Sequence, residues 1–300
     1  MNLKIDLSVL IVNFNTKELL QRCLESINNS EKESYQFEVI VVDNASSDQS
    51  AEMIKKKFPN VNLISSKKNL GFAAGNNLGI KMAVGEYVLL LNPDTEIEIN
   101  TFKIMIDYLK SNPKVGAATC RVELKNGKLD DACHRGFPTP WNAFCHFSGI
   151  SQLFPNSCFL NGYHLGYQNL DKIHEIDSCA GAFLLVRKEI GDSINWLDED
   201  YFWYGEDLDF CYRVKQKGWK IMYVPIIKIL HWKGASSGIR QESKNISNAS
   251  LETRKKAVMA STQAMRLFYQ KHYLKKYPSI ITGFVLFGIN YLEKRRLTKI

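Results

Sequence analysis

The chain has 300 residues, of which 45% are hydrophobic and 23% charged, so it can bury a sizeable core. Its +8 charge sits in the tail: thirteen of 39 basic and three of 31 acidic residues lie from Arg240 onward, which leaves 26 basic against 28 acidic before it. The body is near neutral, so the basicity is no argument for nucleic-acid binding, and no nucleic-acid partner is expected.

From the N-terminus, strand and helix alternate. Ser8 to Phe14 (SVLIVNF) is a short β-branched run and reads as a central strand. TKELLQRCLESI follows, with Leu19, Leu20, Cys23, Leu24 and Ile27 at helical spacing and Thr16 as the expected N-cap. Phe37 to Asp43 (FEVIVVD) is a second strand, SSDQSAEMIKKKF a second helix and Val61 to Ser65 a third strand. NLGFAAGNNLGIKMAVG carries a Gly-rich turn and a short helix, and Glu86 to Asn92 (EYVLLLN) is a fourth strand. Strands this apolar, separated by helices, predict a parallel sheet covered on both faces.

After Thr101 the rhythm changes. TFKIMIDYLKSN predicts an amphipathic helix ending before Pro113, and VGAATCRVELKNGKLDDA predicts a hairpin about Asn126-Gly127. Arg135 to Asp177 is rich in aromatics, Pro, Asn and Gly and takes no assignment. Ile176 to Lys188 returns to strand character. GEDLDFCYRVKQKG reads as a helix stopped by Gly218, KIMYVP as a short strand, and HWKGASSG as a polar loop from His231. LETRKKAVMASTQAMRLFYQKHY predicts a tail helix. The apolar stretch after Pro278 is short for a membrane span and ends in Glu293-Lys294-Arg295-Arg296, which suits a helix lying on an anionic membrane face or packed on the body.

The seven cysteines are odd in number and form no CxxC, which suits a reducing compartment, and the N-terminus has no secretory pattern. Cys133-His134 and Cys145-His146 invite a zinc reading, but their spacing matches no compact zinc module.

Two acidic spots carry the chemistry. NPDTE ends the fourth strand, where open α/β sheets bind ligands, and Asp94 there can hold a divalent cation against a diphosphate. His231 either completes that metal shell or sits in solvent. Asp43, at the end of the second strand, either reads a base or ribose or caps the next helix. Glu206-Asp207-Leu208-Asp209 opens a helix; Asp209 and Arg213 are spaced for a salt bridge, and Asp207 is placed to take the proton of an attacking hydroxyl.

The ordered series VNFN, VVDNASSDQS, NLGFAAGNNLGI, LLLNPDTE, AGAFLLVRK, GEDLDFCYR and HWKGAS, from about Ser8 to Ser237, resembles inverting family 2 glycosyltransferases of the GT-A fold, in the bacterial rhamnosyltransferase-like branch. The resemblance implies an α/β, Rossmann-like, mostly parallel central sheet flanked by helices with a helical C-terminal extension. Residues 1–100 would form the nucleotide-sugar half, 101–240 the acceptor half of the same domain and 241–300 a basic amphipathic helical tail. Asp43 would bind base or ribose with Asn13 and Asn15 near it, and Asn76 would lie by the ribose and diphosphate. Asp94 would correspond to the last acid of the DxD metal motif and His231 to a metal- or diphosphate-contacting histidine. Asp207 would be the base, Glu206 would shape the acceptor pocket, and Gly181 and Ala182 would border the sugar. Trp203 would stack on a sugar face or belong to the core. Asn92 stands where that motif has its first acid, so fewer charges face the Mg²⁺ or Mn²⁺ that the family uses.

The implied reaction transfers a sugar from a nucleotide-diphospho-sugar, dTDP-L-rhamnose ahead of a UDP-hexose, to a glycan or lipid-linked hydroxyl in cell-surface polysaccharide synthesis. The implied place is cytoplasmic, at the inner face of the membrane. Two rival readings are a sugar nucleotidyltransferase, which needs glycines in the NFNTKE loop, and a non-catalytic nucleotide-sugar-binding subunit.

Overall fold

A computed structural model describes residues 4–31, 33–232 and 251–299. The first hundred residues follow the predicted alternation: β1 (Leu7–Asn13), α1 (Lys17–Asn28), β2 (Phe37–Asp43), α2 (Ser50–Lys57), β3 (Asn62–Ser65), α3 (Phe72–Ile80) and β4 (Tyr87–Leu91). The strands lie in the order β3-β2-β1-β4, all parallel. Every residue of β1 and β4 is buried, which is why these strands read as unbroken apolar runs. Helix α1 buries the stripe Leu20, Cys23, Leu24 and Ile27. Thr16 stands at its N-cap, but its hydroxyl donates to Asn13 Oδ1 at 2.7 Å. The first helical N–H, from Lys17, goes instead to Asp48 Oδ2 at 2.8 Å, a carboxylate well placed at the positive end of a helix.

The second part adds β5 (Thr95–Ile97), α4 (Thr101–Ser111), β6 (Val115–Leu124), α5 (Pro140–Ser148), α6 (Ile150–Leu153), β7 (His174–Ile176), β8 (Phe183–Arg187), α7 (Lys188–Ser193), α8 (Glu206–Gln216) and β9 (Lys220–His231). The sheet continues β4-β8-β6-β9-β5, with β7 also on β9. Strand β8 runs antiparallel to β4 and β6, so the sheet is parallel in its first half and mixed in its second.

Three expectations are corrected. The Asn126-Gly127 turn forms, with Gly127 at φ 75, but the returning arm is a single bridge from Leu129 to Glu123 before a 3-10 turn at Asp131–Cys133. The strand expected over Ile176 to Lys188 is split, because β7 ends at Ile176 and β8 starts at Phe183. The strand predicted to end at Pro225 runs on to His231. Proline lacks the ladder N–H, and the β6–β9 register shifts between Val224 and Lys228 to absorb it as a bulge. His231 is therefore the last residue of a strand, not part of a loop. The rest of the HWKGASSG segment, from Lys233, lies outside the described residues.

The tail forms α9 (Leu251–His272) and α10 (Ser279–Leu297). They pack antiparallel, tied by Thr262 to Glu293 at 2.7 Å and Arg266 to Asn290 at 2.8 Å. Helix α9 seats on α8 through a separate aromatic core that includes Tyr201, Tyr212, Phe268 and Tyr273. Among the described residues no helix is long and apolar enough to cross a membrane.

Candidate active site

The C-terminal ends of the parallel strands form the floor of a cleft. Asn13 and Asp43 are register partners at the ends of β1 and β2. Asn13 Nδ2 donates to Asp43 Oδ1 at 3.1 Å and to Ser46 Oγ at 3.0 Å, and both residues are buried. Asp43 does not cap α2: its Oδ2 accepts the Ser46 N–H, while Asp48 Oδ1 takes the N–H and hydroxyl of Ser50. Asn15, at φ 53, accepts the Ser47 N–H at 2.8 Å and stays exposed. These residues support a surface made by Val12, Phe14, Thr16 and Asn44, which line the cleft themselves.

Asn76 departs from its expected place. It is buried within α3, and its Nδ2 donates to Phe72 O at 2.9 Å, so its amide is engaged by its own helix. The wall is made one turn earlier, by Asn69, Gly71 and Phe72. Gly71 has φ 83, and a Cβ there would stand 2.5 Å from Phe202 O, so only glycine lets the loop before α8 approach.

Beyond β4 the chain turns sharply, with Asn92 N–H on Ala182 O at 3.3 Å and Thr95 Oγ1 on Asn92 O at 2.8 Å. Strand β5 then pairs with the end of β9, setting Thr95 opposite His231. This register brings Asp94 and His231 together across 137 residues: His231 Nε2 is 3.2 Å from Asp94 Oδ1. On the other ring nitrogen, Nδ1 is 2.8 Å from Asp130 Oδ2. Burial pulls the His231 pKa down, yet the two flanking carboxylates outweigh it and raise it to about 9. Glu96 faces elsewhere and accepts Trp232 Nε1–H at 2.7 Å.

Gly205, at φ 90, turns the chain into α8 and presents Glu206 and Asp207 at the helix start. Arg135 Nη2 lies 3.4 Å from Asp207 Oδ2. Glu206 is 7% exposed, and its Oε2 is buried without a partner among the described residues. Burial, and then the adjacent Asp207 charge, push its pKa up to about 8, so it is a neutral acid at neutral pH. Gly181 and Ala182 form the wall opposite, where a Cβ on Gly181 would press on the Phe72 ring at 3.1 Å. Trp203 stacks flat on Tyr204, with centroids 5.5 Å apart, along the same wall.

Asp94, His231, Asp130, Arg135, Glu206 and Asp207 thus line one cleft of about 2170 Å³. Sequence reasoning missed Asp130 and Arg135. Both lie just past a turn, where no periodic pattern assigns a face, although the acidic pair after Leu129 was a usable signal. Among the described residues no three His, Cys, Asp or Glu side chains surround a metal position. The Cys-His dipeptides place their imidazoles in pairs, His134 with His174 at 2.6 Å and His146 with His164 at 2.8 Å. Asp94 and His231, the latter once it gives up its Nε2 proton, would make a two-donor set for a cation completed by phosphate oxygens and water.

Residues 8–193 match the family model described as glycosyl transferase family 2. The chain is 26% identical over 244 residues to an N-acetylglucosaminyl-diphospho-decaprenol L-rhamnosyltransferase of Mycobacterium tuberculosis, covering 77% of this chain and 78% of that one. It is 26% identical over 232 residues to rhamnosyltransferase WbbL of Escherichia coli, covering 75% and 82%. A mannosyltransferase of Pyrobaculum calidifontis, solved with GDP-Man and Mn²⁺, superposes with a TM-score of 0.55 at 15% identity, over 99% of this chain and 88% of that one. The fold is GT-A, and the α/β class expected from sequence holds.

Proposed function

The chain belongs to glycosyl transferase family 2 and resembles its rhamnosyltransferase-like branch; from that premise we propose an inverting transfer of a sugar from a nucleotide-diphospho-sugar to an acceptor hydroxyl. The donor is dTDP-L-rhamnose ahead of a UDP-hexose, and the acceptor is a glycan or lipid-linked hydroxyl in cell-surface polysaccharide synthesis. The observation that carries this reading is the meeting of Asp94, His231 and Asp207, drawn from three distant segments, in one cleft.

In this reading residues 1–100 hold the donor and 101–240 take the acceptor. Asp43, Asn13 and Asn15 fix the floor under the base and ribose, and Gly181 and Ala182 leave room for the sugar. Asp94 and His231 would hold a divalent cation, Mg²⁺ or Mn²⁺; when bound, it offsets the charge of the departing diphosphate. Asp207 takes the acceptor proton as the hydroxyl oxygen attacks the anomeric carbon from the side opposite the diphosphate, so configuration inverts. Arg135 steadies the Asp207 carboxylate. Glu206, being protonated, can donate a hydrogen bond to the acceptor. Trp203 offers an aromatic face for a sugar.

The protein works at the inner membrane face, with its tail on the lipid surface. Support comes from Ile280, Phe284, Phe287 and Tyr291, which form an exposed apolar stripe at helical spacing on α10, next to Lys294, Arg295 and Arg296. The test is release of nucleoside diphosphate from a panel of sugar nucleotides, with and without Mn²⁺, in the presence of a cell-envelope acceptor extract. Release from one donor supports the reading. No release from any donor overturns it in favour of a non-catalytic nucleotide-sugar binder.

A further inference from the structure

Between Arg135 and Asp171 the chain carries no Asp, Glu, Lys or Arg for 35 residues, where its average of 23% would place about eight. The two histidines of this interval, His146 and His164, do not supply the missing charge. Burial pulls both below the usual imidazole range, His146 to about 4. An uncharged run is ordinary in a core, but this one is at the surface. Trp141, Phe144, Phe147, Leu153, Phe154 and Phe159, on or beside α5 and α6, are each between 42% and 75% exposed. Exposed apolar side chains gathered in this way mark a contact surface.

The surface is built rather than loose. Thr139 caps α5, and Gly149, at φ 82, turns it into α6. Trp141 Nε1 donates to Phe159 O at 2.9 Å, and the Trp141 ring lies 5.0 Å from Phe159 and 5.8 Å from Phe144. Trp141, Phe144 and Phe147 recur every third residue and so share one side of α5. That side borders the cleft, which Ile281, Phe284 and Tyr291 of α10 also line. Helix α10 brings its own exposed apolar stripe, and from Leu274 to Ile300 six basic residues stand against one acidic. An uncharged aromatic face beside a cationic one matches an anionic phospholipid surface, where rings sit at headgroup level and cations meet phosphates. A protein partner laid across both helices would plug the mouth of the cleft, whereas lipid is fluid and leaves ligands a lateral way in.

We propose that the α5–α6 segment is a second lipid-contacting surface, which enters the interfacial layer of an anionic phospholipid bilayer beside α10 and turns the mouth of the cleft toward it. The proposal rests on the reading that α10 lies on lipid and adds an orientation to it. One helix on a surface leaves the body free to roll about that helix, and a second contact bordering the same cleft fixes the roll. The two contacts differ in kind. That of α10 has a cationic part, which salt screens; that of α5–α6 carries no charge and is indifferent to salt.

The test uses the full chain with vesicles of phosphatidylcholine mixed with phosphatidylglycerol, read by co-flotation and by tryptophan fluorescence. Phe144→Asp/Phe147→Asp should weaken partitioning about tenfold or more, and by the same factor in low and high salt. Lys294→Gln/Arg295→Gln should weaken it in low salt only. Lipids brominated on their acyl chains should quench the bound wild type more than they quench Trp141→Phe, a reading that involves no charged variant. All these variants should keep the wild-type melting temperature, since the side chains they change are exposed. Equal quenching of wild type and Trp141→Phe overturns the proposal. So does unchanged flotation of Phe144→Asp/Phe147→Asp; if that pair instead dissociates a wild-type dimer in sedimentation, the face is a contact between two copies. If Phe284→Asp/Phe287→Asp abolishes flotation while Phe144→Asp/Phe147→Asp does not, the α5–α6 surface falls and the tail reading stands. If only the α5 pair matters, the tail reading falls and the uncharged surface stands alone.

Discussion

His231 Nδ1 stands 2.8 Å from Asp130 Oδ2, and this bond decides which ring nitrogen looks into the cleft. With Nδ1 occupied by a buried carboxylate, Nε2 is left to face Asp94, 3.2 Å away. Asp130 is itself fixed, since its Oδ1 accepts the Ala132 N–H at 3.0 Å at the start of a 3-10 turn. Orientation of a ligating imidazole by a second carboxylate is a recurrent device of metal sites.

Asp130→Asn is therefore expected to weaken Mn²⁺-dependent nucleotide binding by about 10- to 100-fold. His231→Ala should do the same, and the double variant should be no worse than His231→Ala, because Asp130 acts through the imidazole. Calorimetry of UDP and dTDP with and without Mn²⁺ checks this. Additive losses in the double variant would show that Asp130 has its own contact with the ligand.

Asp207 is placed differently: it opens a helix, touches Arg135 at 3.4 Å and lines the cleft without bonding Asp94 or His231. Asp207→Asn keeps the shape and removes the carboxylate proposed as the base. Turnover should fall about 10²-fold or more while nucleotide affinity stays within twofold. A comparable loss in nucleotide affinity would place Asp207 on the donor instead.

Much of the N-terminal third is legible in the sequence because β1, β2 and β4 are largely buried on both faces, and burial writes itself as runs of Val, Ile and Leu. The end of such a strand locates Asp43 and Asp94 without further help. The rest is harder for identifiable reasons. Pro225 breaks the β9 pattern in mid-strand, so the route that carries His231 to Thr95 is hidden by one missing N–H. Strand β5 is three residues long and has no periodicity to read. Helix α5 did leave a signal: Thr139 caps it by accepting Asn142 N–H at 3.2 Å, and Pro140 opens it. That signal is drowned by surrounding aromatics, of which Phe137 finds its ring partner far along the chain in Tyr212 of α8.

Glu206 gives a pH dependence with a definite sign. Its pKa rises from an ordinary 4.5 to about 8 on folding, first through burial and then through the Asp207 charge. Between those values the unfolded chain has released a proton that the native state keeps. The contribution of this group to stability is thus full below pH 4.5 and lost as pH climbs toward 8. Glu206→Gln cannot ionise, so it should exceed wild type by at least ~1 kcal/mol at pH 8 and match it near pH 4.5. Urea unfolding at the two pH values reads this directly. An equal difference at both would assign the effect to packing.

Asp209 ties α8 to the tail. It is fully buried, accepts Arg213 Nε–H at 2.6 Å on its own helix, and meets His272 Nε2 of α9 at 2.6 Å and Tyr201 OH at 3.4 Å. Burial opposes its ionisation, but the bonds from His272 and Arg213 win and hold its pKa below the usual carboxylate range. A lowered carboxylate stabilises the fold above its unfolded pKa and ceases to do so as pH falls through the folded one. Asp209→Ala should therefore cost about 3–5 kcal/mol at pH 7, since it strands the Arg213 charge against Ile194 O and Trp196 O with no counter-ion. The gap to wild type should narrow in acid. Asp209 lies two residues beyond Asp207 but outside the cleft lining, so the variant should lose turnover only as far as α8 loosens from α9. His272→Gln, which keeps a hydrogen-bond donor toward Asp209, should retain most of the activity and lose less stability than Asp209→Ala. Denaturant unfolding at pH 5 and 7 alongside steady-state turnover separates the two effects. If Asp209→Ala left the seating of α8 on α9 intact, with unchanged unfolding, the tail would have no mechanical hold on α8.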